Sequence, residues 1–233
     1  SSDHGMVDTG TSCLPELKLA IEKTEINHIL LSEGLYAQLY FDRNDDRISL
    51  ELPGFRGLDV IMEKDELKAL NCFDELIGDV VIACQEGFNL IEQRDGIALG
   101  LHGSLVDGCM RVSLVFWGST VKTRRIPFAE VVDVAPTIAG FMGLEYHGLD
   151  GRALIEAFDE IGEARFCEIS EKANNLRSTY HQRIGLIRQM SDLKKARPEG
   201  TARRDEFVLE IERLRESLKT SVSNYEGTKQ SLK

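Results

Sequence analysis

The last third of the chain repeats its apolar residues at steps of three and four. The first run is Phe158, Ile161, Ile169, Ala173, Leu176, Tyr180, Ile184, Ile187 and Met190; the second is Phe207, Ile211, Leu214, Leu218, Val222 and Tyr225, with charges between. Such spacing gathers apolar side chains along one seam of an α-helix. Pro198-Glu199-Gly200 separates the two runs. Proline lacks the N–H a helix needs and clashes with the preceding turn, so the helix ends there. Residues 155–233 are therefore expected to form a long antiparallel helical hairpin, a coiled coil, appended to a separate body at residues 1–154.

In the body, short apolar runs alternate with helical spacing, which predicts an α/β fold around a buried sheet. Residues 1–4 read as a strand end. "CLPELKLAIEK" reads as a short helix and "HILLSEGLYAQLYFD", broken by Gly34, as one or two strands. Asp45 to Leu52 is expected to be a helix stopped by Pro53-Gly54, "LDVIM" a strand, and "KDELKAL" a helix with Asp65 and Glu66 in its first turn. "GDVVIACQEGFNLI" is expected to be a strand pair turning at Glu86-Gly87, and "VSLVFWG" a fully apolar strand ended by Gly118. "PFAEVVDVAPTIAGFMGL" has helical spacing at Val131, Val134, Ile138 and Phe141. Pro136 marks a kink or a restart there, and Gly143 a C-cap.

Charge divides the chain in the same place. Residues 1–151 carry 12 Lys+Arg against 25 Asp+Glu, net −13, and residues 152–233 carry 16 against 14, net +2. An acidic body argues against nucleic acid as a partner and suits a protein that neutralises carboxylates with cations. No apolar run is long enough to span a membrane, and no leader precedes the first strand. Five scattered cysteines, Cys13, Cys72, Cys84, Cys109 and Cys167, show no CxxC spacing. They argue against a disulfide framework and a cysteine-ligated zinc, and with the acidic body they point to the cytoplasm.

Two segments carry candidate chemistry. Asp3-His4-Gly5 sets a carboxylate beside an imidazole, and the glycine permits the sharp turn that would bring both to one cation. Oxygen plus imidazole nitrogen suits Zn²⁺ or Mn²⁺. By itself the tripeptide is equally an ordinary turn. His102-Gly103 lies in the glycine-rich stretch "ALGLHGSLVDGCMRV", the kind of loop at a sheet edge where α/β sites lie; the plain alternative is a loop histidine bonded to backbone.

In chain order, "SDHGM", "GDVVIACQEGF", "LHGS", "MRVSLVFWG", "VVDVAPTIAGFMGL" and "LDGRAL" form a series over residues 1–154. This series resembles the alkaline phosphatase superfamily, closest to its type I phosphodiesterase/nucleotide pyrophosphatase branch, which includes phosphonoacetate hydrolases. The resemblance implies an α/β sandwich, two divalent metal ions, usually zinc, and a phosphate-ester substrate. Asp3 and His4 would ligate one metal and His102 the other. Met6, Asp133, Pro136, Thr137 and the turn Asp150-Gly151-Arg152 would be structural. Ser113 stands where the family commonly has proline. The family's nucleophile and remaining ligands precede "SDHG", so the resemblance further implies the C-terminal portion of a longer enzyme, close to inactive by itself. Phosphonate hydrolases and phosphomutases of the superfamily share the same metal frame.

The remaining residues have plainer expectations. His28 is read as a surface or edge residue and His181 as solvated; His147, beside Gly148, is read as outside the site; Ser104 could face substrate, and Asp107 is left open. Lys194, Lys195, Arg197, Arg203 and Arg204 surround the hairpin turn and are read as a solvated basic tip. The hairpin itself could instead make the chain a non-catalytic interaction module, with residues 155–228 serving a homo-oligomer or a partner helix.

Overall fold

A computed structural model describes residues 1–41, 52, 54–92, 99–145, 147–158, 161–196 and 204–232. The chain is mixed α/β and clusters into two compact units. One comprises Ser1–Asp3, Val112–Gln182 and Thr220–Lys233; the other comprises His4–Arg111 and Arg183–Lys219.

The second unit holds all seven strands found among the described residues. β1 (Val7–Ser12) lies between β6 (Gly87–Asn89), parallel to it, and β7 (Leu99–Leu101), antiparallel. A second, antiparallel sheet has the order β2 (His28–Glu33), β3 (Tyr36–Phe41), β5 (Val80–Cys84), β4 (Leu58–Met62). The stretch split by Gly34 is thus a hairpin of two strands. The expected pair on either side of Glu86-Gly87 exists as two strands, but they enter different sheets rather than pairing. The expected strand end at residues 1–4 is absent; the first strand begins at Val7. The expected helix at Asp45–Leu52 lies, but for Leu52, outside the described residues.

The core of this unit forms where α1 (Leu14–Glu22) lays Leu14, Leu17, Ala20 and Ile21 against Ala37, Leu39, Ile61, Val80 and Ile82. Every residue of β5 is buried, as expected of a central strand covered on both faces. α2 (Lys64–Ala69) begins with a capping box in which Glu63 and Glu66 exchange side-chain and backbone bonds.

β4 is an edge strand, and α5 (Glu163–Lys195) covers its outer side with polar groups. Ser191 Oγ accepts from the Ile61 N–H at 3.0 Å, Lys194 Nζ donates to Ile61 O at 3.3 Å, and Lys195 Nζ donates to Asp59 O at 2.6 Å. Lys194 is fully buried, 3.2 Å from the equally buried Glu66. The reading of Lys194 and Lys195 as a solvated tip is therefore corrected: a strand edge needs donors and acceptors, and these side chains supply them. Arg197 and Arg203 lie outside the described residues.

The first unit contains α4 (Val134–Phe141), reached through a single 3-10 turn at Val131–Asp133, so Pro136 sits in the first turn of a restarted helix. Gly143 closes it at φ +65°, with Leu144 N–H bonded to Ala139 O. Its faces are opposite to expectation. Val131, Ile138 and Phe141 are exposed, while Asp133, Pro136 and Thr137 are buried. The reason is a hydrogen-bonded knot. Asp133 accepts from the N–H groups of Glu130 and Arg152, and Thr137 Oγ1 donates to Asp133 O and accepts from Leu154 N–H. Burial pushes the Asp133 carboxyl above its ordinary range despite those two bonds. Arg152 and Glu156, both buried, form a two-pronged ion pair at 3.0 and 2.6 Å. The structural roles expected of Asp133, Pro136, Thr137 and Arg152 hold.

In this unit the two long helices run antiparallel: Ser221 Oγ lies 3.5 Å from Thr179 O, and Lys172 Nζ donates to Ser231 O. Ile169, Leu176, Tyr225 and Leu232 form the core between them, with α6 spanning Arg204–Gln230.

The expected strand "VSLVFWG" is corrected. Residues 112–117 alternate between half-buried and exposed, as a strand would, yet no strand among the described residues pairs with them. Trp117, the chain's one tryptophan, is 96% exposed. Its fluorescence should sit at the wavelength of hydrated indole and be quenched by iodide as readily as free tryptophan. A blue-shifted emission that iodide cannot reach would contradict this exposure.

Candidate metal centre

The register of one ladder decides what meets at the candidate site. β1 and β7 run antiparallel with Val7 opposite Leu101. The chain before Val7 and the chain after Leu101 therefore leave the ladder at the same end. His4 precedes that pair and His102 follows it, and their rings stack with centroids 3.7 Å apart and planes 19° from parallel. Two histidines far apart in the sequence are brought side by side by this pairing.

Local backbone fixes each ring's starting point. Gly5 passes directly over the start of α3 (Asp107–Met110): its N–H bonds to Cys109 O at 2.8 Å, and a Cβ there would fall 1.9 Å from Gly108 O. Only glycine fits so close an approach. Past His102, Gly103 adopts φ +97°, and a Cβ would meet the Tyr36 ring at 2.6 Å. His102 O accepts from Leu35 N–H at 3.1 Å, which ties the loop to the β2–β3 hairpin.

The chemistry of the pair suits metal ligation. His4 Nδ1 is 2.9 Å from Gly5 O. A carbonyl only accepts, so that nitrogen carries the proton and the lone pair sits on Nε2, the usual preparation of a ligating imidazole. His4 is half-buried and His102 exposed. Asp3 is exposed, its carboxylate 3.5 Å from Ser2 Oγ, and it clusters with the first unit rather than with the histidines. Among the described residues, no three His, Cys, Asp or Glu side chains converge into a group able to hold a metal ion.

The neighbours of the pair are structural. Ser104 is corrected from a substrate-facing residue: it is buried, and its hydroxyl donates to Cys84 O at 2.7 Å. Met6 is 60% exposed, so it has no core role. Asp107 is exposed and pairs with Arg111. His28 is exposed on edge strand β2, and His147 and His181 are exposed. Sequence reading missed the β1–β7 pairing, because "VDTGTS" is too polar and "LGL" too short to stand out as strands.

No helix among the described residues is long and apolar enough to cross a membrane. No family model matches the chain, and no curated protein matches it.

Proposed function

We propose that this chain contributes part of the metal centre of a phosphate-ester hydrolase of the alkaline phosphatase type, with Asp3 and His4 ligating one divalent ion, zinc or manganese, and His102 a second. The observation that supports this reading is the stacking of His4 on His102 at 3.7 Å. The resemblance puts both histidines in one centre, and the β1–β7 register sets their rings side by side.

Bound, two such ions would stabilise the attacking and leaving oxygens of a phosphoryl transfer. The chain's own part is to orient. The Gly5 carbonyl holds the His4 tautomer, and the Leu35 N–H and the Tyr36 ring hold the His102 loop. The reading also needs an attacking hydroxyl, for which Ser104 is unsuited. A free docking arm is less favoured as the role of the helical hairpin, because α5 engages its own body through Arg183, Ser191, Lys194 and Lys195.

Zinc titration of the chain tests the ligands, and cleavage of bis(p-nitrophenyl) phosphate by the protein as its own cell makes it tests the reaction. H4A and H102A should each weaken zinc at least as much as the ~10–100-fold caused by losing a supporting contact, and cleavage should fall in parallel. Unchanged zinc affinity in both variants would refute the centre. Zinc binding with preference for phosphonates, or for isomerising a phosphate ester, would reassign the reaction within the superfamily.

A further inference from the structure

Cys13 and Cys84 lie 71 positions apart in the chain, yet their sulfurs are 3.1 Å from each other in the core of the second unit. Cys13 is the residue between β1 and α1, and Cys84 is the last residue of the central strand β5. Both are buried and both are free thiols. Closing the gap to a bonded pair requires roughly 1 Å of movement. The surroundings hold both partners in place. Cys13 N–H and its thiol each bond to Asn89 O, at 2.9 and 3.2 Å. Cys84 N–H bonds to Leu35 O at 2.9 Å.

We propose that Cys13 and Cys84 are a redox pair that closes to a reversible disulfide when the protein meets hydrogen peroxide. The two thiols are unequal, which sets the order of events. The hydrogen bond from Cys84 holds the Cys13 thiol below the ordinary cysteine range, burial opposing it, and the same bond together with burial pushes Cys84 far above that range. Cys13 becomes the attacking thiolate once it gives up the proton it shares with Asn89 O. Its sulfur takes one peroxide oxygen; the O–O bond breaks, and hydroxide leaves and is protonated to water. Cys84 then loses its proton and attacks the Cys13 sulfur. The S–O bond breaks, and hydroxide departs with that proton as the second water. Two thiols are oxidised by two electrons to one disulfide, and peroxide is reduced. Burial makes local opening near the end of β1 the step that admits peroxide.

The position of the pair gives the disulfide a consequence. The Cys84 peptide accepts the Ser104 hydroxyl bond and donates to Leu35, whose own N–H holds His102 O. The oxidised bond would form directly behind the loop that carries His102. The disulfide stands apart from that histidine's role, because its formation is read from the thiols alone.

The test uses the full chain with the exposed Cys72 and Cys167 replaced by Ser, leaving Cys13, Cys84 and Cys109. The folded protein is treated with hydrogen peroxide, blocked with N-ethylmaleimide, unfolded in guanidinium with more maleimide, and weighed intact. The expected product is lighter by two hydrogens, takes one maleimide at Cys109, and yields a Cys13–Cys84 linked peptide on digestion. Dithiothreitol restores three maleimide sites. Closing so long a loop also moves the guanidinium midpoint of the oxidised form upward. C13S and C84S, each confirmed as folded by circular dichroism, lose the linked peptide; if only one of them folds, it suffices. Three maleimides at every peroxide dose, a link through Cys109, or Cys13 oxidised to sulfinic acid without a link would each overturn the proposal.

Discussion

Urea unfolding of K194M should show a stability loss of about 3–5 kcal/mol, the usual cost of removing one member of a buried ion pair. Lys194 and Glu66 are both fully buried, 3.2 Å apart. Methionine fills the same space but takes the ammonium away from the Glu66 carboxylate and from Ile61 O, which keeps the Ser191 hydroxyl as a donor. Arg215 Nε, 4.0 Å from Glu66, offers partial relief and sets the loss toward the lower end. The informative variant is K194M/E66L. Replacing the whole pair by apolar groups should recover part of the loss: the desolvation penalty disappears with the charges, while Glu63 N–H loses its 2.9 Å acceptor in the capping box. A loss below about 1 kcal/mol in the single variant would mean that the pair is wet, not buried.

R152M should be comparably damaging in the other unit, again by about 3–5 kcal/mol. Arg152 holds Glu156 through two parallel bonds, and both side chains are inaccessible to solvent. Its peptide N–H also bonds to Asp133, so the side chain sits where the knot beneath α4 is tied. R152K separates charge from geometry. An ammonium restores the charge but cannot reproduce the fork, so R152K should recover only part of the loss. Stability equal to the parent in R152K would show that charge alone matters there.

What the sequence made legible follows from the kind of signal each element carries. The hairpin strands 28–41, the strand 58–62, helices α1 and α2 and the two long helices declare themselves by periodicity and by stops at Gly34 or Pro198. Capping at Glu63 and Glu66 was foreshadowed by acidic residues in the first turn. Partners were much harder to see than elements. "VSLVFWG" has the composition of a buried strand, but a buried strand needs a partner to pair with, and no strand among the described residues pairs with it. The exposed apolar face of α4 is the same lesson inverted: two hydrogen-bonding residues, Asp133 and Thr137, took interior positions where their bonds are completed. The candidate site was half legible. His4 and His102 were picked out by neighbouring glycines, and the structure brings them together through a ladder whose strands were too polar or too short to recognise. The Cys13–Cys84 contact was invisible for a similar reason: its proximity comes from tertiary folding, with no motif to announce it.

The side-chain cover over β4 has one more consequence. A strand edge sealed by a neighbouring strand is closed by many backbone bonds acting together, whereas this one depends on Ser191, Lys194 and Lys195 of a single helix. If the end of that helix frays, the bare backbone of β4 becomes a template on which another chain can add a strand. The helix terminus therefore works as a guard against self-association, and substitutions that loosen it would be felt as loss of soluble protein on storage or heating before they were felt as loss of fold.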